Sequence, residues 1–391
     1  MAAITLTGLI PTIHDAMDVV SRERVGFIPA VSKDSSSVRA ALNETVRSPV
    51  VGAMTAEDLT AAAYAADVPA RTINYVDMTI SKARSVPFGF TGEEAKSLSQ
   101  REGNSLPVIN RDSIAQALRT LTNEIESDIG ALHIYASRAY GTYNSVPFGT
   151  AADLSDFAQS AKILDDNGAP MSDWQMVLGS AAIANIRGKQ SGLFKVNEAG
   201  TDEMLRRGIV GNVEGFDIHQ SAGVKRNVTA GTGASATTNT AGYAVGATTI
   251  TLALAGTGTV IAGDIITFAG DTNKYLVVTG DADVSNGGSI VIAEPGLQVA
   301  IPASATAITV IAATTRNMFF HRSAIHLLAR APAMPEGGDS ADDNIIIVDP
   351  VSGLPFEFTV YKQKRQVRYE VNLAWGVKMI APRHAGLLIG Q

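Results

Sequence analysis

Few residues in this chain combine the types and spacings that catalysis needs. His321 and His326 stand five residues apart. Two zinc ligands on one helix face need a spacing of four with a glutamate between them, and Arg322, Ser323 and Ala324 supply no acid. Gly256-Thr-Gly258-Thr-Val-Ile-Ala-Gly263 has the glycine content of a phosphate-binding loop. It runs into a β-type stretch, however, not into a helix N-terminus whose amides and dipole would hold an anion, so it reads as a turn. Gly338-Asp-Ser340 lacks the Gly-x-Ser-x-Gly elbow of a nucleophilic serine. Asp165-Asp166 and Asp342-Asp343 read as solvated loop acids, with Ca²⁺ binding as the alternative. There is no cysteine, which excludes disulfides, thiolate metal sites and cysteine nucleophiles. No catalytic residue, metal site or cofactor is expected, and no enzyme emerges. What remains is charge on extended segments. Arg71, Lys82 and Arg84, set against Glu93 and Glu94, fit either a solvated face or ion pairs between subunits, each exposed pair adding at most about 1 kcal/mol.

Composition narrows the class. The 391 residues allow two or three domains, and hydrophobic residues make up 46% of them. Charged residues are 18%, below the roughly 25% of ordinary soluble proteins. Mean hydropathy is +0.12, and no apolar run reaches the about 18 residues of a membrane span. This fits either surface buried against other subunits or an Ala- and Gly-rich globule. Net charge −7 argues against a dedicated nucleic-acid binder. His14, Asp15 and Asp18 interrupt the N-terminal apolar residues, so no signal peptide is read and cytoplasmic synthesis is expected.

The elements are organised around one stretch, Asp112 to about Tyr140. Ile114, Leu118, Leu121, Ile125, Ile129, Leu132 and Ala136 recur by fours and threes, the period of one buried helical stripe. Asp112 or Ser113 caps its start and Gly141 ends it. Such a spine would be about 43 Å long. Before it, residues 1–45 read as an arm with a short amphipathic helix (Ile10, Ile13, Ala16, Met17, Val20). Residues 46–92 read as an extended β-projection, with a bulge where the alternation slips between Tyr75 and Val76. Residues 93–145 hold the spine and a peripheral domain that the C-terminal strands complete. Residues 146–223 and 315–343 form an axial α/β domain, with helices at Ala151–Asp165 and Ser180–Arg187 (Ser180 as cap), and a strand at Trp174–Leu178. Residues 224–314 change texture to Gly, Ala, Thr and Val. They give five short β-runs, Thr248–Leu254, Asp264–Phe268, Lys274–Thr279, Ser289–Ala293 and Ile308–Ala312, the pattern of an inserted small barrel or sandwich. Gly231–Tyr243 within it reads as a mobile, exposed low-complexity loop. Residues 344–391 are C-terminal strands, with a hairpin across Lys362–Arg365.

This order of parts resembles the tailed-phage major capsid proteins with the Hong Kong 97 fold. More narrowly, it resembles the coat proteins of Salmonella-type short-tailed phages, which carry an inserted telokin-like domain. Ala247-Thr-Thr-Ile-Thr-Leu and Ala262-Gly-Asp-Ile-Ile-Thr-Phe-Ala-Gly270 are similar to the start of that insert. Val213-Glu-Gly-Phe-Asp217 and Thr315-Arg-Asn-Met-Phe-Phe-His-Arg-Ser-Ala324 are similar to its junctions. Val367-Arg-Tyr-Glu-Val-Asn-Leu-Ala-Trp-Gly-Val-Lys-Met-Ile-Ala-Pro-Arg383 resembles the terminal strand. The resemblance implies an α+β fold, a spine helix with a β-hairpin projection and a barrel insert. It also implies a shell protein of the virion, assembled in the host bacterial cytoplasm through a scaffold-guided precursor that later expands. The implied partners are many copies of itself in hexamers and pentamers, a scaffolding protein, a portal protein and packaged double-stranded DNA, with no membrane. A decoration protein stays open. Thr229 and Tyr243 bound the insert loop that would brace neighbouring capsomers, although that loop carries almost no charge. Gly130 is the candidate bend of the spine on expansion.

The alternative is a secreted or tail-fibre adhesin whose β-insert binds glycan. It requires aromatic platforms, and only Tyr243, Phe268 and Tyr275 are aromatic there. A hydrolase would need a nucleophile, metal set or acid pair that the sequence does not offer.

Overall fold

The spine is the longest helix described. In the computed structural model, which describes residues 11–17, 25–50, 74–100, 106–190, 211–350 and 352–391, it runs Leu106–Ala131, about 39 Å at 1.5 Å per residue. We label it α4, after α1 (11–17), α2 (Phe27–Ala30) and α3 (Gly92–Gln100). Its stripe is the expected one: Ile114, Ala117, Leu118, Leu121, Ile125 and Ile129 are all buried. Both ends differ from expectation. Pro107 lies in the first turn, where its missing N–H costs nothing, so the helix opens six residues before Asp112. At the other end the chain tightens into a 3₁₀ turn, Leu132–Tyr135, and leaves it extended at Ala136. Leu132 and Ala136 stay buried, so the apolar spacing continues through a stretch that is no longer α-helix.

Two sheets flank the spine. The first has six strands. They are β1 (Ser32–Ala40), β4 (Lys82–Thr91), β16 (Ile325–Pro332), β17 (Asp343–Val348), β18 (Pro355–Gln363) and β19 (Gln366–Met379). The β18–β19 hairpin turns at Lys364–Arg365, as the sequence predicts, with Arg365 at φ 60°. Tyr369, Val371, Leu373 and Trp375 of β19 point into the same core as the spine stripe. One correction concerns the projection. β4 pairs with β19 over its whole length, Gln366↔Thr91 to Trp375↔Lys82, because β19 is long enough to serve partners on both edges. Only β2 (Thr45–Val50) and β3 (Asn74–Thr79) form a separate two-stranded ribbon. It is in continuous register from Thr45↔Thr79 to Val50↔Asn74, without the expected bulge. Met78 and Ile80 are buried at its root.

The second sheet has twelve strands. Its centre is β5 (Arg138–Gly141), β20 (Ala385–Gly390), β15 (Thr314–His321), β6 (Trp174–Leu178) and β8 (Phe216–Gln220). Helices α5 (Ser155–Asp166) and α6 (Ser180–Lys189) cover one face over Phe157, Trp174, Phe216 and Phe319. The cap of α6 is Gly179, with no side-chain cap bond; Ser180 Oγ instead accepts from Arg226 (3.1 Å). Short β7 (Asn212–Val213) pairs with β8 at one edge, and β9 (Lys225–Val228) pairs with the start of β15.

The five predicted insert strands all form: β10 (Thr249–Thr251), β11 (Ile265–Phe268), β12 (Lys274–Thr279), β13 (Ser289–Ile292) and β14 (Ile308–Val310). They enclose a core of their own around Ile250, Ile266, Tyr275 and Ile290. They also continue the larger sheet, through Lys274↔Ala139 and Tyr275↔Arg138. The Gly231–Tyr243 stretch is not a free loop. Ala236 and Thr238 are buried, and backbone bridges join Ala234 to Thr257, Thr238 to Leu252 and Tyr243 to Ile301. The fold is mixed α+β. Among the described residues, no helix is long and apolar enough to cross a membrane.

Candidate assembly surface

The charged residues singled out from the sequence fall in different places. Arg71 and the far end of the projection lie outside the described residues. Lys82 and Arg84 sit at the start of β4, but they do not face Glu93 and Glu94. The Lys82 ammonium donates to Glu124 (3.1 Å) and Asp128 (2.8 Å), one turn apart on the spine, and Arg84 also reaches Glu124 (3.2 Å). Lys82 also lies 5.9 Å from the centre of the Trp375 ring, whose Nε1–H donates to Asp128 (2.9 Å). These four charges therefore fasten the edge strand to the spine. Glu94 is spent locally. Its carboxylate accepts the Thr91 N–H (2.9 Å) while Thr91 Oγ1 accepts the Glu94 N–H (3.2 Å). This reciprocal pair is a capping box at the start of α3, and the backbone hydrogen bond from Thr91 is the main cause of a lowered Glu94 pKa. Glu93 beside it is exposed.

At the insert, Thr229 is exposed just beyond β9. Tyr243 turns inward: its hydroxyl donates to Asn239 (2.7 Å) and accepts the Thr251 N–H (2.8 Å). Gly130 is the next-to-last residue of α4, not a mid-spine position. A Cβ there would lie 2.2 Å from the Gly223 carbonyl oxygen, so the glycine is required by a close approach of the insert root to the helix. Two arm cations are also committed within the chain, Lys33 to the Ser352 carbonyl (2.9 Å) and Arg39 to Glu357 (2.5 Å). His321 ends β15 with Nδ1 on Ser323 Oγ (2.7 Å), and His326 lies beyond the turn on β16.

The junction that sequence reasoning missed is Glu126. It sits beside the spine stripe and is 3% exposed. Its Oε2 accepts the N–H groups of Gly26 (3.2 Å) and Phe27 (3.0 Å) and the Ser221 hydroxyl, and its Oε1 accepts the Ile28 N–H (2.7 Å). Burial pushes its pKa up, against these donors. One carboxylate thus joins the arm, the spine and the root of the insert. The sequence does carry a signal: an acid directly after Ile125, beside the buried stripe. A second missed group is Arg316 on β15. It is 1% exposed, its three guanidinium nitrogens lack partners among the described residues, and burial lowers its pKa to about 10.

No protein-family model matches the chain, and no curated protein matches it. Solved structures resemble it in outline. One is from Mycobacterium phage Che8 (15% identity, 88% of this chain and 84% of that one, TM-score 0.46). Another is the mature capsid of bacteriophage PhiM1 (10% identity, 94% and 87%, TM-score 0.48). A third is a virus-like particle from Pyrococcus furiosus (8% identity, 97% and 98%, TM-score 0.44). Identities and TM-scores this low carry no functional weight, so a functional reading has to rest on the chain's own elements.

Proposed function

We propose that this chain is the subunit of a closed icosahedral shell, with a Hong Kong 97-type capsid fold, that surrounds a tailed-phage genome. The observation that carries the reading is the β2–β3 ribbon. Its root is held by Met78 and Ile80, while toward its tip Tyr75 is 54% exposed and Arg47 lies over the Tyr75 ring (5.4 Å). A two-stranded ribbon is marginal alone in water. One that leaves the body with an exposed aromatic needs a surface to lie on, and a neighbouring copy supplies it. Many such weak contacts, repeated by symmetry, close a stable shell while each can still be corrected.

On this reading copies gather as hexamers and pentamers in the host cytoplasm on a scaffolding protein, with a portal protein at one vertex. Expansion follows, with double-stranded DNA inside and room for a decoration protein outside. Arg71, Glu93 and Thr229 are the candidates left for contacts between copies. Gly130 and Gly223 mark the joint about which spine and insert root would shift. The adhesin alternative loses support, because Phe268 and Tyr275 are buried and Tyr243 is hydrogen-bonded inward.

The test is negative-stain microscopy of the purified chain, with and without a scaffolding protein encoded beside it. Closed shells, spirals or tubes are expected. A uniformly small species at every concentration would overturn the proposal.

A further inference from the structure

Where the insert meets the core sheet there is an open pocket of about 710 Å³. Its lining brings together Lys274 at the start of β12, Tyr140 on β5, Asp156 on α5, and Asn185 and Lys189 on α6. The one acid in this wall is engaged by the backbone. Asp156, the one carboxylate among the lining residues, accepts the Phe148 N–H (2.5 Å). The Asn185 Nδ2–H donates to the Pro147 carbonyl (3.0 Å). Among the described residues, the two lysine ammonium groups are not used. Lys274 is half-buried, burial lowers its pKa, and no acceptor reaches its ammonium among the described residues. Lys189 is exposed at the rim. Burial, with the nearby charges of Asp156 and Asp153, raises the Tyr140 pKa and keeps that hydroxyl a donor.

A half-buried ammonium without an acceptor has lost part of its hydration and gained nothing in exchange. Two lysines and a phenol converging on one concavity supply what an oxyanion needs. We propose that this pocket binds a phosphate group, contacted by Lys274 from the insert and Lys189 from the core. Its volume lies within the range of small-molecule sites, roughly 300–1,000 Å³, so the phosphate arrives either as free phosphate or its ester, or on a nucleic-acid backbone. Because the two lysines belong to different layers, the bound group would tie insert to core across the short β12–β5 pairing.

The test is calorimetric titration of the full chain with inorganic phosphate at fixed ionic strength, with a short DNA oligonucleotide as competitor. Wild type is expected to bind, Lys274→Met to weaken binding by at least about tenfold, and Lys274→Arg to retain it. Displacement of phosphate by the oligonucleotide would assign the site to a nucleic-acid backbone, and no displacement would assign it to free phosphate. Absence of phosphate binding, or binding unchanged in Lys274→Met, overturns the proposal. If Lys274→Met does not fold, Lys189→Met takes its place with the same expected loss. All arms use the unassembled subunit, so failure here leaves the shell proposal standing.

Discussion

Replacing Glu126 should loosen three distant segments at once. Its two oxygens serve three backbone N–H groups and one hydroxyl, in a site where, among the described residues, no charged side chain shifts its pKa. Glu126→Ala leaves those donors buried without an acceptor. Each such loss costs about 1–3 kcal/mol, and local opening lets water recover part of it, so the expected loss is about 3–5 kcal/mol. Glu126→Gln keeps one acceptor oxygen but aims its amide at donors, and should lose about 2–3 kcal/mol. Urea denaturation gives the stability, and hydrogen exchange at Gly26, Phe27 and Ile28 locates the effect. A loss below about 1 kcal/mol with unchanged exchange at these amides would refute the junction. The pH dependence has a definite sign. Burial holds the folded pKa above the ordinary glutamate value of 4.5. The stability this group contributes is therefore full below that value and is lost as pH rises through the raised one. Glu126→Gln should remove that slope.

Three further outcomes follow from other buried groups. Burial lowers the His133 pKa to about 4, so its stabilising share is present above 6.5 and lost as pH falls toward 4. His133→Asn should flatten that acid limb by about 3 kcal/mol at its foot, read from denaturation midpoints against pH. Gly130→Ala improves helix propensity by about 1 kcal/mol, but its Cβ would meet Gly223 O. A net fall in melting temperature is expected, and a rise would mean the close approach is not needed. Arg316→Met removes a buried guanidinium with no hydrogen-bond partner among the described residues, but also the charge that attracts buried Asp264; the two effects oppose, and the net change should stay within about 2 kcal/mol. A loss above about 3 kcal/mol would show that the Asp264 attraction outweighs the cost of burying the guanidinium.

How much of this was legible depended on range. The spine stripe and the insert strands are local patterns: apolar residues by threes and fours in one, β-runs between Gly, Asn and Asp turns in the other. Both were read correctly. The helix end was misread because Leu132 and Ala136 remain buried after the helix stops, so the spacing outlasted the hydrogen bonding. Gly231–Tyr243 was misread for a different reason. Thr232, Ala234, Ser235, Thr240 and Ala241 are exposed as expected, but Ala236 and Thr238 are small enough to pack inside the insert, so the stretch is exposed without being free. Residues 82–91 looked like a projection because nothing in their own sequence names β19 as partner. Lys82 and Glu124 are 42 positions apart, and Glu126 and Phe27 are 99 apart; no local pattern joins such pairs.

The distribution of charge bears on how copies would meet. Lys82, Arg84, Lys33 and Arg39 are each committed inside the chain, and Arg330 pairs with Asp34 across β16 and β1 (3.0 Å). These five of the chain's 31 Lys and Arg residues are thereby withdrawn from salt bridges between subunits, while the ribbon presents the exposed Tyr75 ring. Contacts made by the exposed ribbon and apolar surface would then depend weakly on ionic strength, whereas contacts made by surface ion pairs would weaken with salt. Shell formation by this chain should therefore persist when salt rises from about 0.1 M to about 1 M, where the Debye length falls from about 10 Å to about 3 Å. Light scattering of the assembly reaction across that range measures it. A steep loss of assembly with salt would place the decisive contacts on surface charges instead.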